Sequence, residues 1–79
     1  MNMEVKNIAV DVVDNDRSTQ SQQLVHEIEA NKYFVFHGQQ PTYAAALNNI
    51  EHSEADIAVV IPQNYSRDLT LGRIPQVLI

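Results

Sequence analysis

From Ala55 to Ile61 every residue except Asp56 is apolar, and nothing else in the chain constrains its fold as strongly. A short run without polar alternation belongs to a strand covered on both faces, which is the situation of a parallel sheet. Parallel strands must be joined by crossovers, so strands and helices should alternate along the chain, and they do. Ile8 to Val13 is dominated by β-branched residues, and Asp14-Asn15-Asp16 closes it as a turn. Ser18 to Ala30 reads as a helix capped by Ser18 and stopped by Asn31, with Leu24, Val25 and Ile28 on one face. Tyr33-Phe34-Val35-Phe36 is a second strand ended by His37-Gly38, and Pro41-Thr42 opens a second helix with Tyr43, Ala46, Leu47 and Ile50 at helical spacing. Pro62 suits the first turn of a short third helix that carries Tyr65 and Leu69 inward and stops at Gly72. Pro75 to Ile79 then reads as a fourth strand.

The order β-α-β-α-β-α-β predicts an α/β domain. The expected architecture is a three-layer α/β/α sandwich around a mainly parallel four-stranded sheet, in the order 2-1-3-4 by analogy with small doubly wound folds. Ile57 to Ile61 should be a central strand, and Val10, Val12, Val59, Val60 and Ile61 should lie in the core. A chain of 79 residues holds one domain, residues 1–79, and without cysteine it cannot lean on a disulfide.

Charge and glycine usage exclude several functions. Five basic against ten acidic residues give a net charge of −5, a surface that repels the phosphates of nucleic acid. No apolar run approaches the roughly 20 residues that span a bilayer. Doubly wound folds usually hold phosphates on a glycine-rich turn after the first strand. The only glycines, Gly38 and Gly72, are elsewhere, so nucleotide binding of that kind is not expected.

Asp11, Asp14 and Asp16 form the sharpest chemical candidate. Asp14-x-Asp16-x-Ser18 after an apolar strand resembles the first motif of haloacid-dehalogenase phosphatases, and acidic residues at the carboxyl end of a parallel strand also resemble the pocket of phospho-accepting receiver domains. Both imply magnesium-dependent phosphotransfer, and both families need a lysine on a later strand. Lys32 precedes the second strand and is the only lysine after residue 6. The alternative is an Asx-rich turn in which Asp14 to Ser18 also cap the first helix. Asp11 lies inside the strand, on the face of Ala9 and Val13 by the two-residue period. Buried without a partner it would be costly, so it should face water, pair with Arg17 or a histidine, or mark a slightly irregular strand.

His26, His37 and His52 fall on separate elements, none at the spacing of a zinc pair. No serine occupies a G-x-S-x-G elbow. Asn64-Tyr65-Ser66 matches a glycosylation sequon. Tyr33, Phe34 and Phe36 read as packing residues. No catalytic, cofactor-binding or metal-ligating residue is therefore expected.

The segments together carry a more specific likeness. Ile8 to Val13 with Asp14-Asn15-Asp16-Arg17-Ser18 and Ser21, Ala30-Asn31-Lys32-Tyr33-Phe34, the helix from Tyr43 to Ile50, and Ala55 to Pro62 resemble the extracytoplasmic domain of type-2 ABC exporter permeases. The likeness continues through Gln63 to Leu69, Gly72-Arg73 and Pro75-Gln76-Val77. Asp11 within the strand departs from the pattern. The resemblance implies a non-catalytic periplasmic domain of an inner-membrane protein that works with a separate cytoplasmic ATPase in efflux. It further implies contact with cargo, a periplasmic adaptor or an outer-membrane duct, and a permease dimer. The chain is then expected to be a fragment, with a long apolar span shortly before residue 1 and a helical return followed by further spans after residue 79.

Overall fold

A computed structural model describes residues 7–79. Three parallel strands and three helices alternate along it: β1 (Ile8–Asp14), α1 (Thr19–Ala30), β2 (Phe34–Gln39), α2 (Tyr43–Glu51), β3 (Ile57–Ile61) and α3 (Tyr65–Thr70). Both β2 and β3 pair with β1 in parallel, giving the order β2-β1-β3. The α/β class and the first three places of the expected strand order agree with the sequence reading.

The helix ends follow from local side-chain chemistry. Ser18 accepts a hydrogen bond from the Ser21 backbone N–H, and the Ser21 hydroxyl receives the Ser18 N–H in return, so two orphan donors are satisfied at once. The Thr42 hydroxyl accepts from the Ala45 N–H at 3.1 Å. α3 starts at Tyr65, not at Pro62, whose carbonyl accepts the Tyr65 N–H in a turn before the helix. It ends in a Schellman motif: Gly72, at φ +73°, donates to Leu69 and Arg73 donates to Asp68.

Alternate residues of β1 feed two separate clusters. Val10 and Val12 join Val25, Val59 and Ile61, with Leu24, Ile28, Phe34, Phe36 and Tyr65 packed against them. Val13 joins Ala46 and Ala58, flanked by Ile50 and Val60. Of the five expected core residues, Val10, Val12, Val59 and Ile61 are buried and Val60 is only half-buried. Tyr65 packs inward as expected, but Leu69 is exposed and Asp68 is the buried residue of α3; in α2, Leu47 and Tyr43 are exposed.

Two expectations about the sheet are corrected. Pro75 to Ile79 is not a fourth parallel strand: it makes one antiparallel bridge, Leu78 with Val60, through bonds of 2.7 and 3.0 Å. Length explains this. Five residues of β3 rise about 16 Å, whereas six residues of α3 climb back only about 9 Å, so the extended segment after Gly72 completes the return along the edge of β3. For the same reason the central strand is β1, and β3 is flanked on its outer side by that single bridge. β2 also runs further than expected, through His37 and Gly38 to Gln39. Its register on β1 slips between Val10↔Phe36 and Asp11↔Gly38, a bulge that leaves His37 without a partner on β1.

Candidate functional site

The three candidate carboxylates do not converge. Asp11 is fully buried at the centre of β1, on the side of the sheet that meets α2. Its Oδ2 accepts the Asn49 side-chain amide at 2.9 Å; its Oδ1 accepts the Gln40 amide at 3.2 Å and lies 2.7 Å from His37 Nδ1. An ionised carboxylate only accepts, so the donor in this pair is His37 Nδ1–H. The two-residue alternation of β2 places His37 on the face opposite Phe36, which is the face of Asp11. Burial pushes the Asp11 carboxyl up, but the hydrogen bonds from Asn49, His37 and Gln40 outweigh it and hold the group below the usual carboxylate range. The histidine expected as one possible partner is there; Arg17 is not.

Asp14, at the end of β1 and 7% exposed, serves the turn. Its Oδ1 accepts the backbone N–H groups of Asp16 and Arg17, at 3.0 and 2.9 Å, and its Oδ2 accepts the Ser21 hydroxyl at 2.7 Å and the Gln22 amide at 2.8 Å. Holding this Asx turn closed places Arg17 at φ +55°. Burial raises the Asp14 carboxyl, and the bonds from Arg17, Ser21, Gln22 and Asp16 lower it further than burial lifts it, so its pKa is also depressed. Asp16 turns to a third target, accepting the Ser66 backbone N–H at 3.1 Å.

That last bond bears on ligand binding. Open α/β sheets take ligands beyond the carboxyl ends of the strands where the chain reverses direction in the sheet, which here is between β1 and β3. Asn15 donates to the Ile61 carbonyl at 3.1 Å, Asp16 holds Ser66, and the Ser66 hydroxyl donates to Gln20. The chain's own contacts thus bridge the segments that follow β1 and β3. Among the described residues no group of three or more His, Cys, Asp or Glu is placed to hold a metal ion. His26 and His52 are exposed and lie away from His37, His52 bonding back to the Asn48 carbonyl.

Gln40 and Asn49, the other two supports of Asp11, escape sequence reading because they lie 29 and 38 positions from it. The available signal was Asp11 itself, a lone acid in an apolar strand that had to find donors on its own face.

Compared with known protein families, the whole chain, residues 1–79, matches the ABC-2 family transporter proteins. The chain belongs to that family. No curated protein and no solved structure matches it significantly. ABC-2 permeases are membrane-transport components that work with an ATPase subunit and are not themselves the catalyst. No described helix of this ABC-2 family chain is long and apolar enough to cross a membrane. What its residues build is a folded α/β unit whose buried acids Asp11 and Asp14 are engaged in internal hydrogen bonds.

Proposed function

We propose that residues 1–79 form a single extracytoplasmic domain of an ABC-2 exporter permease, helix–sheet–helix in layering and part of a larger membrane protein. It takes part in ATP-driven efflux by contacting cargo, a periplasmic adaptor or an outer-membrane duct, within a permease dimer. The observation that carries this reading is the family match over all 79 residues. Those same residues make an α/β unit whose longest described helix has 12 residues, against about 20 for a bilayer. The side of the membrane rests on the resemblance of the segments from Ile8 to Val77 to the outer domain of type-2 permeases. The phosphotransfer alternative has no observation in its favour, because Asp11, Asp14 and Asp16 each answer to different donors.

The placement is tested in the intact transporter. These 79 residues contain no cysteine, so Glu29→Cys on the exposed face of α1 puts one thiol in the domain, and the unaltered transporter serves as the background for labelling elsewhere. A membrane-impermeant maleimide should label it in intact spheroplasts. Labelling only after the membrane is opened would place the domain on the cytoplasmic side and end this proposal.

A further inference from the structure

The two edges of the sheet are finished differently. The outer side of β3 is guarded by the returning C-terminal segment, whose Leu78 exchanges bonds of 2.7 and 3.0 Å with Val60. The outer side of β2 has no strand beside it among the described residues. Proteins commonly blunt an open edge with lysine, other charges or proline. Residues 33–40 contain none of these, in a chain of net charge −5. Tyr33 is 64% exposed and Val35 46%, so the open edge is also an apolar one.

Register decides which backbone groups this edge offers. Ala9 accepts the Asp56 N–H and Val12 accepts the Gln40 N–H, so odd-numbered residues of β1 bond toward β3 and even-numbered ones toward β2. In a parallel pair, the residue opposite such a bonding residue turns its own N–H and C=O to the far side. Phe34 and Phe36 stand opposite Ile8 and Val10, so their backbone groups face the open edge. The Phe34 N–H is held only by a long bond, 3.4 Å, to the Asn31 carbonyl. After Phe36 the bulge shifts the register, which limits the regular edge to residues 33–37.

We propose that this edge pairs with the β2 edge of a second copy of the chain, antiparallel about a two-fold axis at Val35, so that two sheets become one. The inference rests on the permease dimer of the proposed function and names the contact between its two domains. In this register the strand is its own complement. The Phe36 N–H of each copy meets the Phe34 carbonyl of the other, and the Phe34 N–H meets the Phe36 carbonyl. Each Phe34 side chain lies across from a Phe36, on the face of the Val10 and Val12 cluster. Val35 meets its own copy on the opposite face. An axis at Phe34 would run the pairing into Lys32, and one at Phe36 into the bulge. The uncharged strand also lets two acidic chains meet without like charges opposite one another. So small a contact holds free chains weakly, but two domains tethered in one transporter meet at high effective concentration.

The test is disulfide trapping in membranes that hold the intact transporter, with a membrane-permeant oxidant so that the outcome does not depend on which side the domain occupies. Opposite residues of a non-hydrogen-bonded antiparallel pair have Cα atoms about 4.5 Å apart, within the roughly 4.4 to 6.8 Å that a disulfide spans. Val35→Cys should therefore link two permease copies through position 35, and the exposure of Val35 lets the change leave the fold intact. Lys32→Cys is the register control, because its two copies lie about 20 Å apart in this pairing. Linked dimer should form at least roughly tenfold faster with Val35→Cys than with Lys32→Cys, the unaltered transporter serving as background for other thiols. Equal rates would overturn the proposal, whether a maleimide finds the position-35 thiol open or shielded by some other chain. The mass of the purified transporter separates two failures. Two permease copies without the link defeat this interface alone, whereas a single copy also defeats the dimer on which it rests.

Discussion

Asp11 and Asp14 stand on the same strand, both buried and both held below the ordinary carboxylate range by the donors around them, yet the donors come from different distances. Those of Asp14 lie two, three, seven and eight residues away. Those of Asp11 lie 26, 29 and 38 residues away, on β2, the segment after it, and α2. One carboxylate closes a turn and steadies a helix start; the other joins three parts of the chain across a face of the sheet. The lesson is that two acids in one motif-like string have separate structural jobs, one local and one long-range.

The comparison breaks most visibly on removal of Asp11. Asp11→Ala leaves a histidine N–H and two amides pointing into a partly buried void, and should cost about 3 kcal/mol of stability. The loss should be global: in amide exchange, protection should fall together in β1, β2 and α2. A chemical denaturation midpoint within error of the unaltered protein would contradict the role assigned to Asp11.

Asp14→Ala should cost less, about 2 kcal/mol, because the freed groups belong to a turn and a helix N-terminus that water can reach. Here the loss of protection should concentrate between Asn15 and Gln22. If it spread as widely as the loss from Asp11→Ala, the distinction between a local and a long-range carboxylate would fail.

Acid sharpens the same contrast. Both groups have folded-state pKa values lowered from 3.8, so the unfolded chain binds more protons than the folded one as pH falls. The stability they contribute is complete above about pH 5, where the unfolded carboxyls are ionised. It is lost as pH drops through their depressed folded values. Asp11→Ala should therefore lose stability less steeply than the unaltered chain between about pH 5 and 3. Parallel curves would show that Asp11 is not held as argued.

This difference in range also explains what could be read in the sequence. The caps at Ser18 and Thr42, the stop at Asn31, the Asx turn at Asp14 and the Gly72 terminus are chemistry among near neighbours, and all were legible. So was the buried run Ile57–Ile61 as a parallel strand. The donors of Asp11 were not, because the pairing of β2 with β1 and the docking of α2 decide them. The segment after Pro75 misled because β-propensity describes residues, whereas strand direction depends on how far a six-residue helix can carry the chain back. Asp68 was hidden for a related reason: helical spacing placed Leu69 inward, but a helix this short is oriented by its two ends, and the face it buries is the one bearing Asp68.

The claim that these carboxylates serve the fold and not a magnesium-dependent reaction has one direct test. Magnesium is titrated into the full chain through the sub-millimolar range while the amide signals of residues 11–18 are followed, with a small-molecule phosphodonor added at the end. The account predicts that those signals stay in place and that no acyl phosphate forms. Saturable shifts at Asp11, Asp14 and Asp16 accompanied by phosphorylation of one of them would contradict it.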